Sequence, residues 1–222
     1  MPRENIYIER RKKKNLNDEL SREKLREPIK HAALSKVYFE KELHGCLGPD
    51  ETIEFRPGLN LLVGDQGCGK STLLQQLMSG GSFNHDITVD PGTDFRFFDS
   101  EKHNPRTKQS LEYSEDIGED LISHFQSHGQ TLLPRVKAVS KMKGYIIFLD
   151  EPEAALSIRS QIIVANCIKK ASENNQVFVA THNSYIIKMA DEVLDLERRI
   201  WTSSEEFIKF QEEGKPLKRK KK

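Results

Sequence analysis

The sequence predicts a three-layer α/β fold with a mainly parallel central sheet and a small antiparallel subsheet. Three observations carry this expectation. An apolar run over residues 59–63 ends in a glycine-rich turn and passes directly into an amphipathic run. Two further apolar runs, residues 145–149 and 177–180, read as strands buried on both faces. Segments with helical periodicity lie between them, so strands and helices alternate along the chain.

Taken in order, residues 1–30 are strongly charged, and a short helix is expected around residues 18–26, ended before Pro28. Residues 35–43 show partial alternation and read as a strand. Residues 52–55 form a second, followed by the turn Arg56-Pro57-Gly58. These two build the antiparallel subsheet. The strand at 59–63 feeds the glycine-rich turn, and its helix, 71–78, is stopped by Ser79-Gly80-Gly81. Residues 95–98 are another strand. A helix is expected over 115–125, with Ile117, Leu121, Ile122 and Phe125 on one face, and a second over 132–142, starting close to Pro134. The strand at 145–149 is followed by a helix at 157–172 whose Ile158, Ile162, Ala165 and Ile168 align. After the strand at 177–180 come a short helix (185–190), a late strand (193–196) and a last helix (205–213).

The glycine-rich turn is specific. Gly64, Asp65, Gln66, Gly67, Cys68, Gly69, Lys70 and Ser71, with Thr72 after them, fit G-x-x-x-x-G-K-[ST], the loop that wraps nucleoside triphosphate phosphates. Gly67 and Gly69 let backbone N–H groups turn inward with no Cβ in the way. The helix beginning near Lys70 aims its positive end at the anion. Lys70 reaches the β- and γ-phosphates, and the Ser71 hydroxyl ligates Mg²⁺. Cys68 reads as a small filler in this loop.

A second half of the site follows about 80 residues after Lys70, where the strand Tyr145-Ile146-Ile147-Phe148-Leu149 ends in Asp150-Glu151-Pro152-Glu153. A carboxylate at the end of a buried strand is costly unless it has a partner. Beside a phosphate loop, Asp150 holds Mg²⁺ and Glu151 serves as general base toward the attacking water. Thr181-His182-Asn183 follows the next strand, which puts His182 on the same rim, where it contacts the γ-phosphate and orients water.

GDQGCGKS, FLDEPE and ATHN, in that order, resemble the ATPase domains of the ABC superfamily, most of all its small stand-alone members and its DNA-repair and chromosome-organising branch. The resemblance covers roughly residues 35–197 and implies ATP and Mg²⁺ as ligands. It also implies a serine-glycine signature at Ser127-His128-Gly129-Gln130, in place of the commoner leucine-serine-glycine-glycine form. Ser127 and Gly129 would then contact the γ-phosphate held by a second subunit, in an ATP-dependent head-to-tail homodimer. The family's glutamine loop maps to FRFFDSEKHNPRTKQ, where Glu101 stands toward the metal and Gln109 is the alternative. Ser157 replaces the family's usual aspartate after the Asp-Glu strand. Only about 56 residues separate Ser71 from Ser127, too few for a coiled-coil arm.

Domain organisation follows: a charged extension (1–30), an ABC-type ATPase domain (31–200), and a C-terminal helix with a basic tail (201–222). A chain of 222 residues supports one full core rather than two. No apolar run approaches the ~20 residues needed to cross a bilayer, and no secretory leader is evident. Cys46, Cys68 and Cys167 form no metal-ligand pair, so a reducing cytoplasm is the expected location. The net charge is +1, yet residues 10–14 are five basic residues in succession and 218–222 are KRKKK. Such ends either hold a nucleic-acid backbone or are solvated tails. Three functional classes stay open: an ATPase in nucleic-acid maintenance or defence, a switch driving a separate protein effector, and the ATP-binding subunit of a transporter.

Overall fold

The computed structural model describes residues 26–41, 48–79, 85–99 and 128–213. Two sheets form the frame. The smaller is antiparallel, with β1 (Leu34–Phe39) flanked by β2 (Glu51–Glu54) and β4 (His85–Val89). The larger has six strands in the order β5-β6-β7-β3-β8-β9, with β3 Leu59–Val63, β5 Asp94–Asp99, β6 Tyr145–Asp150, β7 Gln176–Ala180, β8 Glu192–Asp195 and β9 Ile200–Ser203. Five of these run parallel, and β9 closes the edge antiparallel to β8. The helices are α1 (Lys70–Met78), α2 (His128–Val139), α3 (Ile158–Ser172), α4 (Ser184–Lys188) and α5 (Ser204–Glu212).

Side-chain alternation along the central strands builds the layers. Leu61, Val63, Ile147, Leu149, Val177 and Val179 face one way and pack with α2, α3, α4 and α5. Leu62, Ile146, Phe148, Phe178 and Ala180 face the other way, onto Leu73, Leu74 and Leu77 of α1 and Val37, Phe39, Ile53 and Phe55 around the subsheet. Both sets are buried, which is why these strands read as unbroken apolar runs. Phe178 stacks on Phe148 at 5.1 Å and meets Phe55 edge-on at 5.0 Å, joining the sheets. The buried Gln176 amide adds a polar tie: it accepts from the Leu34 amide (2.7 Å) and donates to the carbonyls of Leu34 (2.8 Å) and Arg56 (3.0 Å).

Several expectations need correction. The antiparallel subsheet has a third strand, β4, and the main sheet an extra edge strand, β9. Both are short, and β4 is half exposed, so neither carries a strong apolar run. α2 starts at His128 and encloses Pro134 instead of beginning beside it. Proline removes one helical hydrogen bond, but Leu133, Val136 and Val139 pack into the core and outweigh that loss. In α3 the buried stripe is Val164, Ala165, Ile168 and Ala171. Ile158 and Ile162 lie off it, at 64% and 43% exposure. The helix expected over 115–125 lies outside the described residues, as do both basic runs. The N-terminal helix does too, apart from Arg26, which is not helical.

Candidate active site

Because β3, β7 and β6 are adjacent and parallel, their C-terminal ends share one edge. The register places Leu62 against Ala180 and Asp150 against Ala180. The segments after these strands therefore meet, although they are far apart in sequence: 64–72 after β3, 181–183 after β7, 151–156 after β6.

The first segment is shaped by its glycines. Gly64, Gly67 and Gly69 have φ of 137°, 79° and 94°, values that L side chains rarely adopt. A Cβ on Gly64 would also lie 2.8 Å from Cys68 Sγ. Asp65, Gln66 and Gly67 are exposed, Cys68 and Gly69 half-buried. Gly69 is the N-cap of α1, no side chain caps that helix start, and no acidic residue lies in its first turn. Such a start favours an anion. Lys70 is buried, and its ammonium donates to the carbonyls of Gly64 (3.0 Å) and Asp65 (2.9 Å), with Cys68 Sγ at 3.7 Å. Thr72 sits half-buried in the first turn of α1.

The second segment reaches the first through one bond. Ser71 Oγ donates to Asp150 Oδ1 at 2.9 Å, and Asp150 is buried. Sequence reasoning assigned both to the metal, and the fold brings them together. Glu151 follows with φ 44°, its amide donating to Ala180 O at 3.0 Å. His182 Nε2 lies 3.9 Å from Glu151 Oε1, both side chains partly exposed. Burial, and then the positive charge of Lys70, lower the His182 pKa from its ordinary value, while Glu151 and Asp65 pull it back. The net effect favours the neutral imidazole.

Other expected site residues are placed differently. Gly129 lies in the first turn of α2. Ser127, Glu101 and Gln109 lie outside the described residues. Ser157 caps α3, accepting from the Ser160 amide at 3.4 Å.

Sequence reasoning gave no role to several side chains at this edge. Glu153 is buried beneath the rim, with its Oε1 accepting from the Thr181 hydroxyl. Burial pushes its carboxyl up to about 7, and the charge of Glu151 adds to this. The Thr181 hydroxyl and the amides of Glu153 and His182 act the other way. Glu197, beyond β8, has its carboxyl raised by burial first and then by Asp65 and Asp195. A Cβ on Gly64 would meet Glu197 Cγ at 3.2 Å. The second acid of Asp-Glu-Pro-Glu was a visible signal for Glu153. Glu197 carries none, since only the β3–β8 pairing brings it to the loop.

A family model described as an AAA domain matches residues 45–221. The chain belongs to that family. Its architecture is that of a three-layer α/β P-loop NTPase of the ABC-ATPase kind, and membership supports ATP hydrolysis as the general activity. One relative is the glutathione/L-cysteine transport system ATP-binding/permease protein CydD of Haemophilus influenzae, 29% identical over 72 residues. These are 32% of this chain and 12% of that protein, so the chain spans a small part of its length. A solved structure of a metal-chelate type ABC transporter in an inward-facing conformation matches at 20% identity with a TM-score of 0.50. The match covers 77% of this chain and 82% of that one. At this identity the likeness shows the fold. Among the described residues, no helix is long and apolar enough to cross a membrane.

Proposed function

We propose that the chain binds ATP with Mg²⁺, hydrolyses it to ADP and phosphate, and uses the cycle as a dimerisation switch that drives a separate partner. The observation that carries this reading is the Ser71–Asp150 hydrogen bond, which joins the glycine-rich loop to the acidic strand tip. A hydroxyl and a carboxylate oxygen form a donor pair suited to Mg²⁺, so the residues present fit the ion. Bound there, Mg²⁺ supplies charge neutralisation at the phosphates.

The protein's own groups account for the rest. Positive-φ glycines and the uncapped start of α1 support a cradle for phosphate oxygens. Lys70 exchanges its carbonyl partners for phosphate oxygens, since an ammonium needs acceptors and finds two in the loop itself. Glu151 takes the proton from the attacking water. His182 orients that water or the γ-phosphate. Ser127 and Gly129 complete the site of a second copy. Lys70→Ala is expected to abolish ATP binding or weaken it severely. Unchanged affinity by calorimetry would remove the loop assignment.

For the partner, a transport permease has more support than nucleic acid. The CydD relative joins ATP-binding to permease in its name, whereas the nucleic-acid reading rests on the motif resemblance to the DNA-repair and chromosome-organising branch and on the basic runs at 10–14 and 218–222. Co-purification with an integral membrane protein selects the first reading. ATPase stimulation by DNA, falling steeply with salt, selects the second.

A further inference from the structure

The two segments that carry Glu151 and His182 are tied together by a closed ring of hydrogen bonds. Glu153 Oε1 accepts from Thr181 Oγ1. That hydroxyl oxygen accepts from the Asn183 amide at 2.9 Å. Asn183 Nδ2 donates to Gln161 Oε1 at 2.9 Å, and Gln161 Nε2 donates to Leu156 O at 3.0 Å. The Leu156 amide returns to Glu153 O at 3.2 Å. The ring joins the turn after β6, the loop after β7 and the first turn of α3.

Its placement matters more than its existence. Glu151 is two residues before Glu153, and His182 lies between Thr181 and Asn183. Glu151 and Ala155 both hold left-handed backbone conformations, φ 44° and 57°, which residues with a Cβ keep only where their surroundings impose them. The member that spans the two segments, Glu153, is also chemically expensive: its residue is 7% exposed, and its Oε2 has no hydrogen-bond partner among the described residues. A core that needed only volume here would be served by an apolar side chain.

We infer that Glu153 is a positioning residue: through Thr181 it locks the turn bearing Glu151 to the loop bearing His182, and so fixes the spacing of that pair. This rests on the roles given above to Glu151 and His182. The ring acts on the chemical step and leaves the phosphate loop, held by its own backbone, untouched. Displacing a catalytic group by about 1 Å costs up to ~10²-fold in rate.

The test is steady-state ATPase kinetics with calorimetric ATP affinity on Glu153→Ala, Glu153→Gln, Thr181→Val and Thr181→Ser, with Glu151→Gln alongside. Glu153→Ala and Thr181→Val are expected to lower kcat by about 10- to 100-fold while KM and ATP affinity stay within about threefold. Glu153→Gln and Thr181→Ser keep an acceptor and a donor at those positions and should recover most of the loss. The double variant should be no slower than either single one, because both break the same link. If Glu153→Ala fails to fold, the near-isosteric Thr181→Val against Thr181→Ser carries the test. Wild-type kcat in folded Thr181→Val, or a loss of affinity matching the loss of kcat, overturns the proposal. Glu151→Gln separates the two layers. If it is inactive while Thr181→Val is normal, the ring proposal alone fails. If it turns over like wild type, the assignment of the base fails, and the proposal with it.

Discussion

The two halves of the site are held by different means. The loop at residues 64–72 is a backbone structure. Three glycines set its path, the Lys70 ammonium binds its own carbonyls, and every participant lies within a few residues of the others. The rim formed after β6 and β7 is a side-chain structure. Glu153, Thr181, Asn183 and Gln161 hold each other across separate elements, and the backbone there adopts conformations that its residues do not favour. The loop is therefore sensitive to a side chain placed on its positive-φ glycines, whereas the rim is sensitive to the loss of a polar group.

The largest expected effect lies on the rim. Glu151→Gln should keep ATP affinity and lose ~10²–10⁴ in turnover, because the amide still hydrogen-bonds but accepts no proton. Phosphate release at the wild-type rate would assign the base elsewhere. If turnover is lost in this way, the same variant should accumulate the ATP-bound state, and light scattering should report a dimer with ATP and a monomer without it. A monomer at tens of micromolar with saturating ATP would leave Ser127 and Gly129 without the role proposed for them.

A glycine pair sharpens the contrast from the loop side. Gly64→Ala meets both a forbidding φ of 137° and the Cys68 sulfur at 2.8 Å. Gly67→Ala meets an unfavourable φ of 79° and nothing within 4 Å. Gly64→Ala should cost about 2–3 kcal/mol of stability and most nucleotide affinity, and Gly67→Ala about 1 kcal/mol. Urea unfolding with ATP calorimetry measures both. Equal effects would mean that the Cys68 contact relaxes freely.

A further difference between the two halves concerns pH. The Glu153 carboxyl, pushed up to about 7 from an ordinary 4.5, binds its proton more tightly in the folded state. Its contribution is complete below pH 4.5 and is lost as pH rises through about 7, by up to about 3 kcal/mol. His182 acts in the opposite sense. Its lowered pKa gives a contribution complete above its unfolded value and lost as pH falls below it. Glu153→Gln removes only the first effect. The stability of wild type relative to that variant should therefore fall between pH 5 and 8. A constant difference would mean that Glu153 does not titrate in this window.

Most of the central strands were legible because burial on both faces leaves an unbroken apolar run, as at 59–63, 145–149 and 177–180. The strands β4 and β9 were not, since edge strands bury little and keep polar residues. The α3 stripe was misread at Ile158 and Ile162: helical spacing allows neighbouring faces, and contact with the sheet chose among them. At the site, Lys70, Ser71, Asp150, Glu151 and His182 were named from motifs, and the fold gathers them on one edge. Glu153 and Glu197 were passed over.

The sequence alone determined the phosphate loop, because glycine conformation, lysine reach and a helix start are local properties of adjacent residues. It also determined the class of fold, through the alternation of apolar strands with helices. Only the tertiary structure decided which strands are neighbours. The order β6-β7-β3 sets Asp150 beside Ser71 and Glu151 beside His182, and encloses Glu153 between two turns. Strand order is fixed by which apolar faces pack together over the whole sheet, and no short stretch of residues carries that information.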